Sequence, residues 1–327
     1  MDRIKRDYEL AAVNSLSCGG SYIRIVKSLM HYKCQGETGL IQLILNGLAM
    51  GSIYALVALG IVVIANAVNV VNFAQGENVM LGAYVAATLT LALHLPILPS
   101  YIISVVLLAF YGYVFQKIAY YPLRKKPVIT VIVSTIGVSM FLKNIARIIW
   151  GPQPMFFPGL FGEKTIQIGN IFVDPQNLLI IGVTTCLVIF QYFFFAKTPL
   201  GRQMQATAQD QEAASLMGIK VSRMIALTFI YSSMLAAAAG VLLAPIFFVS
   251  ADMGGNLGLK AFAASIIGGF GSVPGAIIGG LFLGVFEILC AAFVSSLYKD
   301  AFAFVVLILI LAFMPRGLFG EKISTKV

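Results

Sequence analysis

Apolar runs near residues 40–64, 77–95, 98–116, 128–149, 177–196, 223–246, 259–272, 275–295 and 301–314 occupy most of the chain beyond residue 40. A helix needs about 20 apolar residues to cross the hydrocarbon of a bilayer. Charged residues make up 11% of the 327 positions, against about 25% in a soluble domain. That is too little charge to cover the chain in water, and mean hydropathy is +0.93. The sequence therefore predicts an all-α fold, a polytopic transmembrane helical bundle of eight or nine spans. Several runs are shorter than a full crossing. These are expected as broken or re-entrant helices, or helices buried inside the bundle away from lipid.

The net charge of +9 excludes nucleic acid as a partner by its distribution. The charge sits in short clusters between apolar runs, where anionic inner-leaflet lipid and the positive-inside rule lead one to expect it. Arg124-Lys125-Lys126 is one cluster, Arg202, Lys220 and Arg223 mark a second, and Arg316, Lys322 and Lys326 end the chain. The rule puts all three inside the cell. Two runs separate the first cluster from the second and four separate the second from the C-terminus, so their parity agrees. Three runs precede Arg124, which puts the N-terminus outside. Either one early run is two half-crossings, or the N-terminus does not obey the rule. Residues 1–36 carry Arg3, Lys5, Arg6, Arg24, Lys27 and Lys33 without an apolar stretch long enough for a signal peptide. They are expected as a basic, loosely ordered extension before a membrane domain over 37–327.

Chemistry-bearing residues are sparse. Cys18, Cys34, Cys186 and Cys290 are scattered with no C-x-x-C pair, and His31 and His94 lie far apart. Neither a disulfide framework nor a metal site is expected. There is no G-x-x-x-x-G-K-[ST] phosphate loop and no nucleophile–base pair, so no catalytic role is assigned. If transport is ATP-driven, another chain hydrolyses the nucleotide, and no cofactor is expected on this one.

The longest polar stretch within the apolar region is 198–222. Pro199 is suited to a helix start and Gly201 permits a turn. Gln203 to Met217 are good helix formers, and Gly218 is a C-terminal stop. Ala206, Ala213, Ala214 and Met217 give a face of small or flexible side chains for close approach by another protein. Without further information an ordinary amphipathic connector is the simpler reading.

Polar groups within the runs are the other candidates. Asn66, Asn69 and Asn72 recur every third residue and so share roughly one helix face. Gln75 and Glu77 follow, with Gly76 weakening the helix between them. Such groups at membrane depth either bond helix to helix or line a water-filled route. Glu77 alternatively lies at the inner membrane edge as a helix N-terminal charge. Glu287 is mid-run and must face the interior or be protonated. Gly47 and Gly51, Gly271, Gly275 and Gly279, and Gly280 and Gly284 are each spaced by four, which lets helix backbones touch.

Glu212-Ala213-Ala214 followed by Gly218 resembles the E-A-A-x-x-x-G loop of ABC importer permeases, although Thr228-Phe229-Ile230 stands where that pattern continues with I-x-L-P. The stretch Leu45-Asn46-Gly47-Leu48-Ala49-Met50-Gly51-Ser52-Ile53-Tyr54-Ala55-Leu56 resembles the opening of branched-chain amino acid permeases of the LivH type. So does Val71-Asn72-Phe73-Ala74-Gln75-Gly76-Glu77, with Gln75 where that type commonly has histidine. Gly258-Leu259-Lys260-Ala261-Phe262, Gly268-Gly269-Phe270-Gly271-Ser272-Val273-Pro274-Gly275-Ala276 and Met314-Pro315-Arg316-Gly317-Leu318 match further stretches. The likeness covers about residues 40 to 320. It implies a permease subunit of the bacterial inner membrane, with Glu212, Ala213, Ala214 and Gly218 on a short cytoplasmic helix that docks into an ATPase. The implied partners are a second homologous permease, two ATPase subunits that bind the ATP, an extracytoplasmic substrate-binding protein and membrane lipid. The implied substrates are leucine, isoleucine and valine. Urea, short amides or another small polar solute remain alternatives, as does a secondary transporter.

Overall fold

A computed structural model describes residues 36–162, 166–168, 171–315 and 317–319. Most of the basic extension, with Arg316, Lys322 and Lys326, lies outside the described residues. Each apolar run becomes a helix: α1 (Gly36–Val68), α2 (Gln75–Leu91), α3 (Ile97–Phe115), α4 (Val128–Trp150) and α5 (Pro175–Lys197). The connector forms α6 (Pro199–Gln209) and α7 (Gln211–Leu216). It is followed by α8 (Val221–Leu243), α9 (Met253–Gly268), α10 (Val273–Phe293) and α11 (Lys299–Phe313). Six of these, α1, α3, α4, α5, α8 and α10, are long and apolar enough to cross a membrane. The other three runs give α2, α9 and α11, of 17, 16 and 15 residues. The described residues depart from an all-α fold only in small pieces. β1 (Ile166–Ile168) pairs antiparallel with β2 (Ile171–Val173), and Met155 and Val249 form an isolated bridge.

Helix ends follow local chemistry. Asp174 caps α5 by accepting from Gln176 N, with Pro175 in the first turn, and Thr198 caps α6 by accepting from Gly201 N, with Pro199 in its first turn. Ser272 caps α10 by accepting from Gly275 N. These side chains satisfy donors that a helix start leaves open.

The 33-residue α1 is the axis of the bundle and is buried along most of its length, whereas α4 and α5 turn most of their apolar side chains outward, as lipid contact requires. The glycine spacing does what small residues do between membrane helices. Gly47 and Gly51 on α1 lie against Gly280, Leu281, Gly284 and Val285 on α10, so closely that a Cβ on Gly284 would overlap the Gly51 backbone.

The elements sort into two ends. Val68, Leu123, Val131 and Val221 belong to one apolar cluster, and Gln211 Nε2 donates to the Ala67 carbonyl. Arg124-Lys125-Lys126, Lys220 and Arg223 adjoin this end, which the positive-inside rule makes cytoplasmic. Leu318 N and Phe319 N bond Ile267 O and Gly268 O. Asn66 Nδ2 bonds Gly271 O. The chain after α11 therefore returns to the same end. Gly36 lies at the opposite end, because α1, α2 and α3 run in alternating directions. Three helices, α1, α2 and α3, precede Arg124, and two of them, α1 and α3, are long and apolar enough to cross a membrane.

Candidate translocation site and coupling loop

The polar connector forms two helices where one was expected. Asp210 adopts an extended conformation (φ −157°) and its side chain accepts from Glu212 N and Ala213 N at 2.9 and 3.0 Å. A residue that caps a new helix cannot continue the old one, so α6 stops at Gln209. At the far end Ile219 N bonds Ala214 O and Gly218 N bonds Ser215 O, with Gly218 at φ +81°. This is a Schellman turn, and its positive φ is the reason for glycine. Ala214 is buried, while Glu212, Ala213 and Gly218 are exposed. Leu216 and Met217 beside them are 89% and 82% exposed. These two large apolar side chains stand in the cytoplasmic loop uncovered by any of the described residues.

The asparagines do not share a helix face. α1 ends at Val68, and Asn69 takes the left-handed conformation (φ +54°) just beyond it. Asn66 remains on α1 and ties it to Gly271, and Asn69 is exposed. Asn72 is buried in the link to α2, where its Oδ1 accepts from Ala74 N. Asn66 and Asn69 line an open cavity of about 310 Å³ with Gln209 and Phe270.

Gln75 and Glu77 come together deeper in the bundle. Gln75 Nε2 donates to the carbonyl of Ser232, halfway along the 23-residue α8, and its Oε1 accepts from Asn78. α2 therefore begins at mid-depth, which explains why it is short, and Glu77 does not lie at the inner edge. Ser139 on α4 donates to Glu77 Oε1 at 3.0 Å. Glu77 is 2% exposed, and its Oε2 has no hydrogen-bond partner among the described residues. The first turn of α9 closes over this carboxylate. A Cβ on Gly254 would stand 2.5 Å from Oε2, and one on Gly76 would overlap the Gly254 carbonyl. Next to the seam is a cavity of about 210 Å³, lined by polar Asn72, Gln75 and Ser139 and by apolar Ile61, Val71 and Phe262, among others.

Glu287 belongs to a separate cluster. Tyr54 Oη donates to its Oε2 at 2.8 Å, and Lys260 Nζ lies 2.6 Å from its Oε1 and 2.7 Å from Asp300 Oδ1. Sequence reading gave no role to Tyr54, Lys260 or Asp300. One signal was available: Lys260 is a lone cation in an apolar run and requires a buried anion, and Glu287 is a lone anion in another.

The family model described as "Branched-chain amino acid transport system / permease component" matches residues 43–311. The chain is 36% identical to the LivH high-affinity branched-chain amino acid permease of Salmonella typhimurium (strain LT2), over 88% of this chain and 97% of that one. It is 35% identical to the BraD permease of Pseudomonas aeruginosa, over 88% and 98%. Among solved structures it resembles PsaBC from Streptococcus pneumoniae at 14% identity and a TM-score of 0.43, covering 86% of this chain and 95% of that one, a likeness too loose to build on.

Proposed function

The chain belongs to the family of permease components of branched-chain amino acid transport systems, and from that premise we propose that it forms half of the membrane pathway of an ATP-driven importer for leucine, isoleucine and valine. It is a multi-pass protein of the plasma membrane and a transport component rather than an enzyme. The observation that carries the substrate reading is the match to LivH and BraD along nearly their whole length. α2, α9 and α11 complete the bundle as short elements that share the crossing with their links, which gives nine passes.

ATP is bound and hydrolysed on two partner subunits, a second permease supplies the other half of the pathway, and an extracytoplasmic protein delivers the substrate. Force enters through α6 and α7. Exposed Leu216 and Met217 are suited to burial against an ATPase, since exposed large apolar side chains mark partner surfaces. The anchor of Gln211 on the end of α1 transmits the movement to the axis of the bundle. The route passes Asn66, Asn69, Asn72, Gln75 and Glu77.

Leucine uptake by the reconstituted complex tests this reading. It must require ATP hydrolysis and persist when ion gradients are collapsed; dependence on an ion gradient without ATP would overturn it. Gly218→Val strains the left-handed turn by about 1–2 kcal/mol, and Glu212→Ala removes the exposed charge of α7. Both are expected to leave the complex assembled and hydrolysing ATP while uptake falls severalfold. Normal uptake by both would remove the coupling role.

A further inference from the structure

We propose that the cavity between α2 and α9 is an intramembrane binding site for the amino acid itself, in which the Glu77 carboxylate takes the α-ammonium group and the apolar wall takes the branched side chain. This rests on the importer reading above and specifies what its pathway recognises.

Three features of the site match the three parts of a zwitterion with an aliphatic tail. Glu77 is a buried carboxylate with one oxygen held by Ser139 and the other unpartnered among the described residues. A buried acceptor left without a donor is destabilising, and an ammonium group supplies up to three donors. Next to it, the first turns of α2 and α9 meet at Gly76 and Gly254, and no side chain caps either helix. The leading N–H of each helix is bonded, Gln75 N to Asn72 O and Met253 N to Ser250 O, and the positive ends of the two helix dipoles favour a carboxylate. Discontinuous membrane helices place such ends at substrate sites. Ile61, Val71, Leu259 and Phe262 supply the apolar wall. The volume of about 210 Å³ is below the roughly 300–1,000 Å³ of sites for drug-sized ligands, which restricts the occupant to a small solute.

Ser139 and Gly255 border both the Glu77 carboxylate and the cavity. Oε2 itself faces the α9 turn. The seam between the helices consists of Gly76, Gly254 and Gly258, with backbone against backbone. Such a contact parts without withdrawing interlocked side chains. A small displacement of α9 joins Oε2 to the cavity, and its return closes the site over the substrate.

The test is direct binding of radiolabelled leucine to the assembled transporter in lipid nanodiscs, without the binding protein. The charge is probed by competition with 4-methylpentanoate, which keeps the branched tail and carboxylate but lacks the ammonium. Glu77→Gln is expected to weaken leucine binding about tenfold or more, the scale of one hydrogen bond to a charged group, and to leave 4-methylpentanoate binding unchanged. Copurification of the ATPase monitors assembly. Gly255→Ala gives a second variant: its Cβ would stand 3.9 Å from Glu77 Oε1, an ordinary contact. It is expected to reduce leucine binding more than alanine binding by narrowing the pocket. If the wild-type complex imports leucine but shows no such binding, or if Glu77→Gln weakens both ligands equally, the site assignment falls and the importer stands. A complex that performs no ATP-dependent uptake overturns the importer reading first.

Discussion

Two polar clusters lie inside this bundle, one around Glu77 and one around Glu287, and they differ in how completely their atoms are satisfied. At Glu287 a tyrosine hydroxyl and a lysine ammonium hold the two carboxylate oxygens, and Asp300 shares the lysine. The residues come from α1, α9, α10 and α11, so the cluster ties four helices together. At Glu77 one carboxylate oxygen and the Asn78 carbonyl oxygen have no hydrogen-bond partner among the described residues, and a cavity lies beyond Ser139 and Gly255, which border the carboxylate. A membrane interior penalises unsatisfied polar atoms strongly. A cluster with matched charges acts as a structural tie, and one with open valences beside a void is fit to receive a ligand.

The largest expected effect breaks the matched cluster. Lys260→Met leaves buried Glu287 with only the half-exposed Lys299 ammonium, 4.0 Å from its Oε1, and removing one member of a buried pair costs about 3–5 kcal/mol. Little folded permease is expected to survive detergent extraction, measured as monodisperse protein by fluorescence size exclusion. Lys260→Met combined with Glu287→Gln removes both charges, leaves an acceptor for Tyr54, and is expected to recover most of the yield. Equal loss in the single and double variants would show that the cluster does more than balance charge.

The intermediate effect falls on the open cluster. Gly60 on α1 faces Gln75 and Ser232 so closely that an added Cβ would overlap the Gln75 amide. Gly60→Ala therefore pushes Gln75 off the Ser232 carbonyl, with an overpacking cost of about 1–3 kcal/mol. Thermal stability is expected to drop moderately while transport drops more steeply, because Gln75 lines the cavity. A parallel loss of stability and transport would make this cluster as structural as the other.

The order and type of helices were legible in the sequence because long apolar runs admit few alternatives in lipid. Their ends were not. The run expected over 77–95 ends as a helix at Leu91, because His94 turns to φ +53° ahead of Pro96. The helix expected over 259–272 starts earlier, at Met253, since Gly254 and Gly255 pack on α2 and carry no apolar signal. It stops at Gly268, because Gly269 and Gly271 take positive φ. Asp210 was read as part of one helix because capping depends on backbone conformation as well as residue type. The pairing of Lys260 with Glu287 links positions 27 residues apart on separate helices, which a periodicity cannot show. Each residue alone announced that it needed a partner.

The smallest effect comes from a third charged group and isolates burial from pairing. Asp252, in the link before α9, lies 2.5 Å from Lys143 Nζ and accepts from Arg147 at 2.9 and 3.0 Å. Its pairing is as full as that of Glu287, but its side chain is 59% exposed, and exposed pairs contribute about 0–1 kcal/mol. The hydrogen bonds from Lys143 and Arg147 hold its carboxyl below the ordinary range for aspartate. A depressed folded-state pKa stabilises at any pH above the unfolded value of about 3.9, and that contribution disappears as pH falls through the folded value. Asp252→Asn is therefore expected to lower the melting temperature by a small, equal amount at pH 7 and pH 5, and the variant and wild type should converge in stronger acid. The same comparison at Lys260 should show a deficit several times larger at neutral pH. If Asp252→Asn were as damaging as Lys260→Met, the number of partners would govern stability here and the depth of burial would not.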